Sequence, residues 1–132
     1  MENLLLNYFI YFGLSVLLMI IGVTGFVFTT KIKEFTMIGE GNVSAAILVS
    51  GRVLGLAVIL YSAISNSISI FDLMTWAFIG IVTQIIANFL VEFLTRTYSI
   101  ETAIINDNRA VAIALASMFI SIGLIIAGCL TY

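Results

Sequence analysis

Histidine and proline are absent from this chain of 132 residues, cysteine occurs once, and charged residues make up only 9%. Each shortage excludes something. Without histidine, a serine or cysteine nucleophile lacks its commonest base, and the many serines fall where helices pack. With Cys129 alone, a disulfide within the chain is impossible and the usual zinc spacings do not occur. Without proline, no helix carries a proline kink. The glycines have neither Walker nor Rossmann spacing, so no enzyme activity and no cofactor or metal are expected. A net charge of −2 argues against nucleic acid as a partner.

Apolar residues dominate what remains, at 62% of the chain with a mean hydropathy of +1.24. A soluble domain carries about 25% charged residues because its surface faces water, and this chain falls far short of that. The apolar residues gather into four runs: about Leu5 to Phe28, Val43 to Ile64, Leu73 to Leu94, and Ala110 to Leu130. At 1.5 Å per residue, each run crosses a hydrocarbon core of about 30 Å. Lipid offers no hydrogen bonds to the backbone, so helices are the expected spanning form. The sequence predicts an all-α membrane protein, one domain of four spans, with the bilayer as its first partner.

The spans come in pairs. Met37-Ile38-Gly39-Glu40-Gly41-Asn42-Val43-Ser44-Ala45-Ala46-Ile47 returns 66 residues later as Ala103-Ile104-Ile105-Asn106-Asp107-Asn108-Arg109-Ala110-Val111-Ala112-Ile113. Two tandem copies of a two-span unit, 1–66 and 67–132, are therefore expected. A repeat with an even number of spans keeps its orientation, so the copies are parallel, unlike the inverted repeats of many transporters.

Lys31, Lys33, Arg96 and Arg109 all fall in or beside the first and third connections, while the N-terminus, the middle loop and the C-terminus hold no Lys or Arg. The positive-inside rule places those two connections in the cytoplasm and both termini outside. The start Met1-Glu2-Asn3 lacks the basic n-region of a signal peptide, so span 1 is expected to be retained.

Three groups of residues stand out. Asn42 and Asn108 open spans 2 and 4 as expected N-caps. With Glu40, Gly41, Asn106 and Asp107 they form two related polar turns. Gly41 permits a tight turn, and Asp107 puts negative charge near a positive helix end. Besides capping, these turns could flank a cytoplasmic vestibule that binds an ion or a partner.

Gly51 and Gly55 are four apart in span 2, and Ser117 and Ser121 hold the equivalent places in span 4. Small residues at that spacing let helices approach closely in lipid, so both small faces are expected to turn to the bundle interior, with the contact made within the chain or between subunits. Arg52 lies near mid-depth, where an unpaired charge is costly. Gln84, Asn88 and Glu92 share one face of span 3 and are its expected partners. The line is either a structural clamp, with Glu92 reaching the cytoplasmic surface, or the lining of a polar path.

Ile38-Gly39-Glu40-Gly41-Asn42-Val43-Ser44-Ala45-Ala46, Ser67-Ile68-Ser69-Ile70-Phe71-Asp72, Trp76 with Gln84, Ile104-Ile105-Asn106-Asp107-Asn108-Arg109-Ala110, and Ala127-Gly128-Cys129-Leu130-Thr131-Tyr132 occur in that order. In order and spacing they resemble the YjfL/YshE-like group of small bacterial inner-membrane proteins, domain of unknown function 350, also called UPF0719-type transmembrane proteins. The resemblance covers nearly the whole chain. It implies an inner-membrane protein of two tandem two-span units with no assigned activity, and suggests a link to membrane-stress or envelope-maintenance systems. The expected function is a structural or interaction component, self-associated or bound to a membrane partner. The alternative is a small transporter or channel subunit whose path is lined by spans 2 and 3.

Overall fold

The computed structural model describes residues 2–29, 34–94 and 100–130. Lys31, Lys33, Arg96 and Tyr132 lie outside the described residues, as does the side chain of Glu92. Among the described residues, six helices follow one another: α1 (Glu2–Thr29), α2 (Glu34–Gly39), α3 (Val43–Asn66), α4 (Ile70–Leu94), α5 (Ile100–Ile105) and α6 (Arg109–Cys129). Four of them are long and apolar enough to cross a membrane: α1, α3, α4 and α6. The polar connections contain more order than their composition suggests, because each holds a short helix leading into the next span. Helices α2 and α5 begin 66 residues apart, as do α3 and α6.

The hairpin between α3 and α4 is closed by local chemistry. The Ser67 N–H donates to the Ala63 carbonyl and ends α3. Ser69 and Asp72 then cap the next helix: the Asp72 N–H donates to Ser69 Oγ, and the Ile68 N–H donates to Asp72 Oδ2. This capping-box logic satisfies otherwise orphaned backbone donors at the start of α4.

Helices α3 and α6 form the centre of the bundle and run parallel. Gly51 lies against Ala116, Gly55 against Phe119 and Gly123, and Ser62 Oγ donates to the Ala127 carbonyl at 2.6 Å. A Cβ on Gly51 would stand 2.6 Å from Ala116 Cα, and one on Gly123 would stand 2.7 Å from Gly55 Cα. The two backbones therefore touch, as small residues allow in lipid. Helix α4 packs on both central helices, and α1 lies against α3 and α4.

The small-residue face expected of span 4 is not the face that packs. Ser117 and Ser121 do not meet α3. They face outward and donate to the carbonyls of Ile113 and Ser117, each one turn back. The face of α6 that meets α3 is Ala112, Ala116, Phe119, Gly123 and Ala127. A hydroxyl satisfied within its own helix costs little in lipid, so nothing forces these serines inward.

Two apolar clusters fill the interior. One joins Ala45, Leu48, Ile104, Ala112, Leu115 and Phe119 near the α2–α3 and α5–α6 turns. The other joins Leu18, Leu56, Ile59, Leu73, Ala77, Ile81 and Ile126 toward the opposite end. Along α3, Arg52 falls between the residues of the first cluster and those of the second.

Candidate functional site

The polar layer between the clusters is assembled by α3 and α4. Arg52, Gln84 and Asn88 are 3%, 0% and 3% exposed. The Arg52 guanidinium lies 5.1 Å from the Phe119 ring centroid and 5.8 Å from that of Phe26. A desolvated guanidinium over aromatic faces gains cation–π energy of about 2 kcal/mol, which offsets part of the cost of burying it. Phe26 and Phe119 escaped the sequence reading, because recognising them requires knowing how α1 and α6 are rotated against α3.

Gln84 reaches across to α6, where Nε2 donates to the Phe119 carbonyl at 3.0 Å. Gly55 makes this possible. A Cβ there would stand 2.7 Å from Gln84 Nε2 and 2.9 Å from the Phe119 oxygen. The bond also fixes the orientation of the amide, since a carbonyl only accepts. Gln84 Oε1 and both amide atoms of Asn88 are buried without a hydrogen-bond partner among the described residues. Such orphaned atoms cost about 1–3 kcal/mol each. Arg52 and Gln84 are thus joined through Phe119, with Asn88 buried one turn along α4 from Gln84.

The second candidate group is at the turns, and the two turns are fastened to each other. Gly41 and Asp107 both have positive φ, +89° and +57°, at places 66 residues apart. Glycine takes that conformation without a Cβ penalty, and aspartate is among the few other residues that tolerate it. Asn42 Oδ1 accepts from the Ala45 N–H at 2.9 Å and caps α3; Asn108 Oδ1 accepts from the Val111 N–H at 3.4 Å and caps α6.

Asn42 Nδ2 then donates to the Ile104 carbonyl, 2.7 Å away at the end of α5. In return, Asp107 Oδ1 accepts from the Ser44 N–H at 2.9 Å and from Ser44 Oγ at 2.8 Å. Asp107 therefore serves the first turn of α3 rather than its own helix, a crossing that spacing does not reveal. The two Ser44 bonds hold its carboxyl below the ordinary carboxylate range, and Arg109, 3.5 Å away and exposed, adds to the shift. Glu40, Asn106 and Asn108 are exposed around this latch.

The family model described as Domain of Unknown Function (DUF350) matches residues 1–130. The chain belongs to this family. Family relatives include the UPF0719 transmembrane protein YshE of Bacillus subtilis (strain 168), 35% identical over 123 residues, 93% of this chain and 90% of the relative. The UPF0719 inner membrane protein YjfL of Escherichia coli (strain K12) is 31% identical over 130 residues, 97% of this chain and 96% of the relative. No solved structure gives a significant match. Family membership and four apolar helices together make this a multi-pass integral membrane protein.

Proposed function

We propose that this DUF350 protein is a non-enzymatic structural or interaction component of an envelope or membrane-stress assembly in the bacterial inner membrane. It is built from two tandem two-span repeats, 1–66 and 67–132, with both termini outside the cytoplasm. The exposed residues Glu40, Asn106 and Asn108 around the latched turns form its cytoplasmic docking surface. The equal offsets of α2/α5 and α3/α6 support the duplication. The observation that carries the reading is how the polar layer ties helices together. Arg52 is buried between two phenylalanine rings and Gln84 is tied to the Phe119 backbone, so polar groups at membrane depth join helices to one another.

A photocrosslinking residue at Glu40 or Asn106, activated in living cells, should yield one discrete adduct that the same probe at Ile68 does not. Identical adduct patterns from all three positions would overturn the docking surface. A reporter active only outside the membrane should light up after Tyr132 and stay silent when inserted at Glu34.

The orphaned amide atoms of Asn88 and Gln84 favour a second reading, a small transporter or channel subunit with a path between α3 and α4. In a Cys129→Ser background, rapid labelling of Asn88→Cys by a membrane-impermeant thiol reagent would favour that path. Resistance to labelling would favour the structural component.

A further inference from the structure

We propose that Gln84 and Asn88 bind a water molecule inside the bundle, at the level of Arg52, and that this water is part of the fold. Both side chains are at least nine-tenths buried, and both keep hydrogen-bonding capacity that no described residue meets. They stand four residues apart on α4, so their Cβ atoms are about 5–6 Å from each other on one face. A molecule hydrogen-bonded at about 2.8 Å to each of two amides bridges polar atoms up to about 5.6 Å apart.

The chemistry of the two amides selects the occupant. One N–H of Gln84 Nε2 is committed to the Phe119 carbonyl, and Oε1, the atom left with no partner, offers only an acceptor. Oε1 itself cannot hydrogen-bond an anion, which has no proton to donate. A cation would suit Oε1, but Arg52 shares Phe119 with Gln84 and already supplies a buried positive charge at this level. Asn88 offers a donor group and an acceptor in either orientation of its amide. The matching ligand donates to one partner and accepts from the other while remaining neutral, and water does this within the smallest volume. Buried waters typically take up otherwise unmet polar groups in this way.

This site is distinct from a conducting path, since it needs one held molecule and no continuous route. It goes beyond the docking role, and its test does not involve a partner. Gln84 is the only glutamine in the chain, so glutamine labelled with 13C at its side-chain carbonyl places a single reporter on Oε1. In lipid bilayers, water-edited solid-state NMR should transfer magnetisation to that carbon as fast as to sites at the exposed turns. Transfer as slow as to lipid-facing methyl groups would overturn the proposal.

Asn88→Leu supplies a second readout whose sign differs between the two cases. If the water is present, the substitution removes one of its partners, slows transfer to Gln84 and lowers the melting temperature in detergent. If the amides are dry, the substitution removes two unmet polar atoms and raises the melting temperature, which would count against the water. Should Asn88→Leu fail to fold, the spectrum of the unsubstituted protein decides.

Discussion

Helices α1 and α3 are alike as apolar rods and opposite in their surroundings. Their spanning windows have mean hydropathies of 2.3 and 2.2, yet 6% of the first and 50% of the second is buried within the chain. In water, hydrophobicity decides what goes inside. In lipid the outside is equally apolar, so burial follows shape and hydrogen bonding. Helix α3 has Ala45, Gly51, Gly55 and Ala63 on its buried face, with Ser44 and Ser62 bonding to α6 or the turn before it. Helix α1 carries Leu4, Leu5, Phe9 and Phe12, bulky groups that keep neighbours at a distance and suit acyl chains.

The difference is broken most directly at Gly55. Gly55→Leu would drive a side chain into Gln84 Nε2 and the Phe119 carbonyl, at the upper end of the usual overpacking cost of about 1–3 kcal/mol. Folded, monodisperse protein should be lost on size exclusion in detergent. Gly13→Leu on α1 meets no atom within 4 Å of its Cβ and should elute like the parent. If both variants behave alike, close approach is not what distinguishes the two helices.

A smaller effect is expected at Gln84. Gln84→Leu removes the bond to Phe119, and single interhelical hydrogen bonds in membranes are worth about 0.6–1.7 kcal/mol. Its unfolding curve in detergent should shift to lower denaturant by a corresponding amount.

Asp107 extends the comparison to the turns. Its carboxyl is depressed by Ser44, so the stability it contributes is present above the ordinary value of 3.8 and is lost as pH falls through the lower folded value. The melting temperature of Asp107→Asn should lie below that of the parent at pH 7. The gap between the two should narrow below pH 3.8, and a constant gap would show that the carboxylate charge is irrelevant to the latch. Smallest of all is Phe12→Leu on the exposed face of α1, where no measurable change in melting is expected beyond about 0.5 kcal/mol.

Much of the architecture was legible because it depends on composition and local chemistry. Run length alone marked the four spans, and Asn42 and Asn108 announced caps whose bonds lie within three residues. The expectation that Gln84 lies near Arg52 in depth, with Asn88 one turn further along the same helix, rests on the constant rise per residue of a helix. Ser117 and Ser121 were misjudged because repeat equivalence transfers a position and not a facing. Gly51 meets Ala116, one residue off the 66-residue step, and each residue turns a helix by about 100°. The reach of Asp107 to Ser44 was hidden for a related reason: it joins groups 63 residues apart through a turn with positive φ.

By itself, then, the sequence determined the medium, the number of spans and the chemistry available at each depth, since all three follow from which residues occur and how far apart. Only the tertiary structure decided which face of α6 touches α3, which rings flank Arg52, and which amides are bonded. Those outcomes depend on rotations of one residue and gaps of a few tenths of an ångström between rods that lipid solvates equally well on every side. Hydrophobic periodicity carries no record of them.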